Sequence, residues 1–367
     1  MSASPSDIES GPLVSVAIPT LNEQPSISIC LESVLAQTWR NVEVLVVDGG
    51  STDRTRDLVE AFAAVDPRVR LLDNPRRTQP AALNRAVDEA LGEYLIRIDA
   101  HSTVPPTYVE GVIDHFLTGS WGGVGGRKDG VAETAQGHAI AAALGSRFGV
   151  GGSTYHHGTE MQTVDHIPFG AYPLDVVREL GGWDEAIPTN EDFEFDYRVR
   201  ASGRELLFDP SLTIAWQTRE TVAGLFTQYR RYGRAKVLTV RKHPDSASPR
   251  HILPAVLVAA LAGSLLMAPR RPRPGLGFIL AYLAGITGAG LLTAPGVADP
   301  RARRYLPAAF AAMHVGHGIG FWEGLLGGRR PDASGLESWR NGRASTATTS
   351  ATGDGTRPRY ARRRGRG

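Results

Sequence analysis

The chain has 367 residues, enough for a globular domain plus an addition. Its formal net charge is only +2, from 40 basic and 38 acidic residues, so nothing in the composition points to nucleic acid as a partner. A single cysteine, Cys30, excludes an intramolecular disulfide and any cysteine-based zinc site, and reads as a small buried hydrophobe.

The opening segment, residues 1–12, is polar and acidic, with neither a basic n-region nor an apolar h-region. It is expected to be disordered and is not read as a secretory signal, which places the first domain in the cytoplasm. "LVSVAIP" (13–19) reads as a buried strand and "SISICLESVLAQ" (26–37) as a helix. "VEVLVVDGG" (42–50) is a second buried strand, "DRTRDLVEAFAA" a helix with Asp53 near its start, and "VRLLDN" a third strand. "QPAALNRAVDEAL" is a helix with Pro80 near its start, and "EYLIRIDA" a fourth strand. Apolar strands alternating with helices indicate an α/β fold, a mostly parallel sheet covered on both faces, with ligands bound beyond the strand C-termini. Polar residues cluster there: Thr20, Asn22 and Glu23 after the first strand, Asp48 at the end of the second, and Asp99 and His101 at the end of the fourth.

Further along, "GGVGGRKDG" matches no nucleotide-binding fingerprint and reads as a surface turn. "NEDFEFDYRVRASG" predicts an acidic helix start at Asn190, Glu191 and Asp192 and a stop at Gly203. In "QYRRYGR" (228–234), Gln228, Arg231 and Tyr232 share part of a helix face. After residue 250 the chain turns apolar. Residues 252–268 carry no charge over about 17 residues, and 275–297 none over about 23, long enough to span a bilayer. Residues 305–327 are similar but contain His314, His317 and Glu323, which read as interfacial or helix-packing positions. Because 252–268 is short and contains Pro254, it reads as interfacial or re-entrant. That puts the basic "PRRPRP" loop and the Arg-rich tail on the cytoplasmic side, as the positive-inside rule prefers. Residues 329–367, poor in apolar side chains, are expected to be disordered.

Taken one at a time, the polar clusters have ordinary explanations. Asp48 followed by "GGSTD" suits a turn, or a carboxylate accepting from a nucleobase and ribose. Asp99 and His101, two apart on a strand, would point to one side and share a divalent cation; imidazole is accepted better by Mn²⁺ than by Mg²⁺. Glu191 and Asp192 suit helix capping, or one of them serves as a general base. Arg231 and Tyr232 suit either a diphosphate and its sugar or anionic lipid head groups.

In this order and at these places the stretches become specific. "VSVAIPTLNE", "VEVLVVDGGSTD", "AALNRA", "GEYLIRIDAHS", "FGAYPLDVVRELGGWDE", "NEDFEFDYRVRASG" and "QYRRYGR", over about residues 13–240, resemble the family 2 glycosyltransferases of GT-A fold. "DAHS", "NED" and "YRRYG" look most like the bacterial exopolysaccharide transferases of the succinoglycan-biosynthesis type. The resemblance implies a GT-A domain over 13–240, followed by membrane-associated helices over 250–327. Its activity would be inverting transfer of a sugar from a nucleotide-sugar donor, UDP-glucose or a related UDP-hexose, to a glycan or polyprenyl-diphosphate-linked acceptor. The work would be done at the cytoplasmic membrane, in contact with membrane lipids and with the catalytic domain facing the cytoplasm. Thr20, Asn22, Glu23 and Asp48 would hold the nucleoside. Asp99 would contact the donor or a divalent cation (Mn²⁺ or Mg²⁺), with His101 where the usual second Asp ligates it. Asp192 matches the catalytic base, with Glu191 beside it. Gln228, Arg231 and Tyr232 match the Gln-x-x-Arg-Trp motif with Tyr for Trp, which favours addition of a single sugar. Two other readings are a non-catalytic membrane scaffold and a nucleotidyltransferase. The latter is disfavoured because "PTLNEQPS" lacks a triphosphate cradle.

Overall fold

In a computed structural model, which describes residues 11–327, the apolar runs pair as a nine-stranded mixed sheet. Residues 1–10 and the tail, 329–367, both expected to be disordered, lie outside the described residues. Strands β1 (Val14–Thr20), β2 (Val42–Asp48), β3 (Val69–Asp73) and β4 (Tyr94–Arg97) run parallel in the order β3-β2-β1-β4. Helices α1 (Ile27–Leu35), α2 (Thr55–Val65) and α3 (Gln79–Glu89) make the crossovers. Every residue of β2 is buried: Val44 and Val46 enter one core and Leu45 and Val47 the other, hence the unbroken apolar run.

The second half is mixed. It comprises β5 (Ser102–Thr103), α4 (Tyr108–Thr118), β6 (Gly123–Val131), α5 (Ala135–Leu144), α6 (Arg147–Val150), β7 (Gln162–Val164), β8 (Ala171–Pro173), α7 (Leu174–Glu179), α8 (Glu191–Ala201), β9 (Leu206–Gln217) and α9 (Val222–Lys242). The sheet continues from β4 as β8-β6-β9-β5, with β7 also on β9. β8 is antiparallel to both its neighbours, whereas β6 and β9 are parallel.

The expected surface turn at "GGVGGRKDG" is instead strand β6, deep in the sheet. Its glycines mark close approach, not turning. A Cβ on Gly125 would lie 2.6 Å from the Ile167 Cβ, and one on Gly126 only 1.7 Å from the Leu212 carbonyl oxygen. The pairing partner of β6 jumps from Asp209 to Thr213 between Gly126 and Arg127, so β9 bulges there and drives Leu212 into the space a side chain would take.

Helices α10 (Pro249–Met267), α11 (Pro272–Thr293) and α12 (Leu306–Leu326) follow. The first two are long and apolar enough to cross a membrane. Their 18-residue windows have mean hydropathy 1.7 and 1.8 and are only 17 % and 22 % buried. Pro254 sits within α10 without ending it. In the third, the helix-packing alternative read for its polar residues is what Glu323 shows: α12 packs along α9. Gly316, Gly320 and Gly324 face the carbonyls of Phe226, Arg230 and Arg234, and Gly233 faces the His317 carbonyl, so the two backbones nearly touch. Glu323 pairs with Arg230 and, at 2.5 Å, with Arg234. The charge that marks this segment out in the sequence therefore belongs to helix packing.

Gly126→Ala should destabilise the protein by about 3 kcal/mol or more, since the obstacle is backbone and cannot swing aside. Gly288→Ala, where an added Cβ meets open space, should be neutral or stabilising in the same thermal melt.

Candidate active site

A cavity of about 980 Å³ opens beyond the C-terminal end of β4. Its walls include Asp99, His101, Glu191, Asp192, Gln228, Arg231 and Tyr232, which therefore converge from stretches far apart in sequence. Thr20, Asn22, Glu23 and Asp48 do not line it. They sit behind, at the ends of β1 and β2, where Thr20 and Asp48 are register partners.

The centre of the site is Arg97, the last residue of β4 and 4 % exposed. Its Nε donates to Asp99 Oδ1 at 2.9 Å, and its Nη1 donates to Glu191 Oε1 at 3.0 Å and lies 4.0 Å from Asp192 Oδ2. One buried guanidinium thus ties the end of the fourth strand to the start of α8. Asn190, in the left-handed region at φ 63°, turns the chain into α8 and anchors it by donating from Nδ2 to the Tyr232 carbonyl at 3.1 Å. Gln228 donates to the Tyr232 hydroxyl at 2.9 Å, one helical turn on, as the shared face requires.

Asp99 and His101 do not sit on a strand, as their spacing suggested. β4 stops at Arg97, and the Ser102 N–H donates to the Asp99 carbonyl at 2.9 Å, closing a turn. Asp99 and His101 reach the cavity all the same. Glu23 Oε1 contacts His101 Nδ1 at 3.0 Å, which leaves Nε2 as the nitrogen available to a ligand. Burial acts to lower the His101 pKa, but the Glu23 hydrogen bond and the Asp99 charge outweigh it, and the net shift is upward. Asp99 already accepts from Arg97 and, at 3.2 Å, from Gln79, yet a carboxylate has room for further partners. Among the described residues no three His, Cys, Asp or Glu side chains converge as a metal cluster. The donor set of one carboxylate and one imidazole oriented by a carboxylate fits a divalent cation whose other positions are filled by ligand oxygens.

The paired acids at α8 are driven apart. Burial, then the neighbouring Asp192, push the Glu191 carboxyl up. Burial also acts to raise Asp192, but His166 and Arg97 outweigh it and hold Asp192 below its usual range. Asp192 Oδ2 lies 3.9 Å from His166 Nε2, and His166 Nδ1 is 2.7 Å from the fully buried Asp196.

Asp48 is occupied as a turn residue. It accepts from the Gly50 and Ser51 N–H groups, from the Ser51 hydroxyl at 2.5 Å and from Arg56 at 3.1 Å. Asn22 accepts from the Thr52 N–H at 2.8 Å, pinning this loop to the one after β1. Among the described residues the buried Thr20 hydroxyl has no hydrogen-bond partner.

Arg97, Lys128 and His166 escaped the sequence reading. Arg97 left a trace, a lone charge inside "YLIRID" that only a buried partner could justify. Lys128, on β6, lies 4.3 Å from the Phe169 ring centroid and 3.8 Å from that of Trp216. Burial pushes its ammonium down to about 8. It was obscured by the misread turn, and no pattern marks His166.

The model for the family described as glycosyl transferase family 2 matches residues 15–163. The succinoglycan biosynthesis protein ExoA of Rhizobium meliloti (strain 1021) is 34% identical over 321 residues, covering 86% of this chain and 96% of that protein. A dolichyl N-acetyl-alpha-D-glucosaminyl phosphate 3-beta-D-2,3-diacetamido-2,3-dideoxy-beta-D-glucuronosyltransferase of Methanococcus voltae is 28% identical over 239 residues, 62% of this chain and 74% of its own length. Among solved structures, the mannosyltransferase PcManGT from Pyrobaculum calidifontis, in complex with GDP-Man and Mn²⁺, superposes with a TM-score of 0.54 at 19% identity. That likeness covers 87% of this chain and 88% of the other, and is one of fold.

Replacing Arg97 by Met leaves Asp99 and Glu191 buried without their countercharge, and should cost about 3–5 kcal/mol in denaturant melts. Adding Glu191→Gln should recover part of that loss; a purely additive double variant would show that the pair is not coupled.

Proposed function

The chain belongs to glycosyl transferase family 2 and is a glycosyltransferase of GT-A fold acting in glycan synthesis, and we propose that it transfers one hexose, with inversion, from a UDP-hexose such as UDP-glucose to a lipid-linked or polysaccharide acceptor. The observation that carries this reading is the convergence of Asp99 and His101 with Asp192 in one cavity, around Arg97. An acceptor hydroxyl placed between a carboxylate base and a diphosphate site is the arrangement that glycosyl transfer needs.

Asp99 and His101 would hold a divalent cation, Mn²⁺ or Mg²⁺, whose charge would offset that of the donor diphosphate. Asp192, kept ionised by its cationic neighbours, takes the proton of the acceptor hydroxyl. The hydroxyl oxygen forms the new bond to the anomeric carbon from the face opposite the leaving group, and the bond from that carbon to the diphosphate oxygen breaks. Arg231, exposed on the cavity wall, pairs with the departing nucleoside diphosphate. Glu191 and Gln228 act through Arg97 and Tyr232 to set the floor and the rim of the site. Thr20, with its unpartnered hydroxyl, and Asp48 receive the nucleoside, while Asn22 orders the adjoining loop and Glu23 acts by orienting His101. Tyr232 at the rim suits release after one addition. The domain would work at the cytoplasmic face of a membrane, a reading supported by α10 and α11, which are long and apolar enough to cross one.

Asp192→Asn should abolish transfer, by about 10³-fold or more, and leave nucleotide-sugar binding nearly intact. An equal loss of binding would overturn the assignment of the base. His101→Asp should retain activity and alter the metal preference, whereas metal dependence unchanged in His101→Ala would remove His101 from the ligand set. A screen of nucleotide sugars on membranes, with and without Mn²⁺, reads both variants. Absence of any turnover by the wild type would favour the non-catalytic scaffold.

A further inference from the structure

Lys128 lies in the second half of β6, half-buried, with its side chain on the cavity wall. Side chains alternate along a strand, so Arg127 and Asp129 leave by the face opposite to Lys128. There they pair with each other at 2.8 Å. The acid next to Lys128 in the sequence is therefore spent on another cation. Among the described residues the Lys128 ammonium makes no hydrogen bond and no ion pair. It rests against two rings, 3.8 Å from the centroid of Trp216 and 4.3 Å from that of Phe169.

Arg97 supplies the contrast. Its guanidinium lies 5.4 Å from the centroid of the same Phe169 ring, but it is also bonded to Asp99 and Glu191. Phe169 is thus shared by two cations, one met by carboxylates and one not. A ring face attracts an ammonium, yet more weakly than an anion does in a cleft from which a ligand expels water. The acids nearby are already engaged. Asp99, whose charge acts most strongly on Lys128, accepts from Arg97 and Gln79, Glu191 accepts from Arg97, and Asp192 is the proposed base. The charge of Lys128 is also felt at His101. Its ammonium is therefore within electrostatic reach of both groups at the donor end, with its N–H groups unspent.

That end offers a divalent cation one carboxylate and one imidazole. An imidazole in the place of a carboxylate holds a hard cation less tightly, so less of the charge facing a diphosphate can come from a metal. We propose that Lys128 is a fixed counter-cation for the donor's diphosphate, and that a nucleoside diphosphate therefore binds this protein without a divalent metal. The proposal rests on the glycosyl-transfer reading and adds to it a residue that grips the donor. As the bond to the anomeric carbon breaks, the leaving diphosphate oxygen gains charge, and an ammonium already in place meets it without rearrangement.

The test uses the full chain in neutral detergent with EDTA, titrated with UDP and, separately, with uridine. The wild type should bind UDP more tightly than uridine by about tenfold or more. Lys128→Met, which keeps an unbranched chain against the two rings, should lower the UDP affinity by about tenfold and leave the uridine affinity within about twofold. Lys128→Gln, polar but uncharged, should show the same split and decides the matter if Lys128→Met does not fold. Equal UDP affinity of the wild type and the variant overturns the proposal, as does an equal loss for both ligands, the mark of disturbed packing. UDP binding by the wild type only after Mn²⁺ is added also overturns it. A wild type that binds no UDP even with Mn²⁺ overturns the UDP-donor reading instead.

Discussion

A guanidinium taken out of water must be met by negative charge, and around Arg97 that requirement shapes the site. Asp99 and Glu191 meet it from two directions, with Asp192 at the edge of the cluster. The pairing links the end of β4, the turn carrying Asp99, and the start of α8. The two adjacent acids part for other reasons: burial and the neighbouring Asp192 push Glu191 up, while His166, with Arg97, holds Asp192 down against its own burial. Such a cluster is weak as a source of stability, because desolvation consumes most of the attraction, but strong as a device for holding groups in register. Phe169, in the left-handed region at φ 56° with its ring 5.4 Å from the Arg97 guanidinium, closes the cluster from the side. Backbone strain of this kind persists where the surroundings over-determine it.

The C-terminal helices belong to the same design. α9 carries Gln228, Arg231 and Tyr232 into the cavity on one face and receives α12 on another through glycines that bring the backbones together. Through α12 the chain places His314, His317 and Met313 on the cavity wall, and through α10 it places Leu253, Pro254 and Leu257 there. The core is continuous as well: Phe310 and Met313 of α12 share a cluster with Val16 and Ile96 of the sheet. A protein built so cannot move these apolar helices without reshaping its pocket.

How much of this could be read in advance depended on whether the cause was local. The parallel half was legible because strands buried on both faces need unbroken β-branched runs, and "VEVLVVD" has no other good use. Asp192 and the Gln228–Tyr232 face were legible because helix start signals and helical spacing are local rules. β6 was not, since its glycines answer to Leu212 and Ile167, residues some 40 to 90 positions away, and glycine looks alike whether it turns the chain or admits a neighbour. In the last apolar segment Glu323 signalled packing, but which helix it packs on was hidden, because its glycines have meaning only opposite α9.

The amino-acid order was sufficient for the alternating α/β architecture, the family, the polar clusters at the strand ends and the apolar character of α10 and α11, because each follows from periodicity, composition or a contiguous motif. Tertiary structure decided the rest: that Arg97 joins Asp99 to Glu191, that Glu23 serves His101, that Lys128 and His166 belong to the site, and that Lys236 is buried with its ammonium over the Phe193 ring. The division has a physical reason. A charge in a sequence carries no mark of how much water it will lose on folding, and the partner that compensates it, or the absence of one, is set by residues that only the fold brings near.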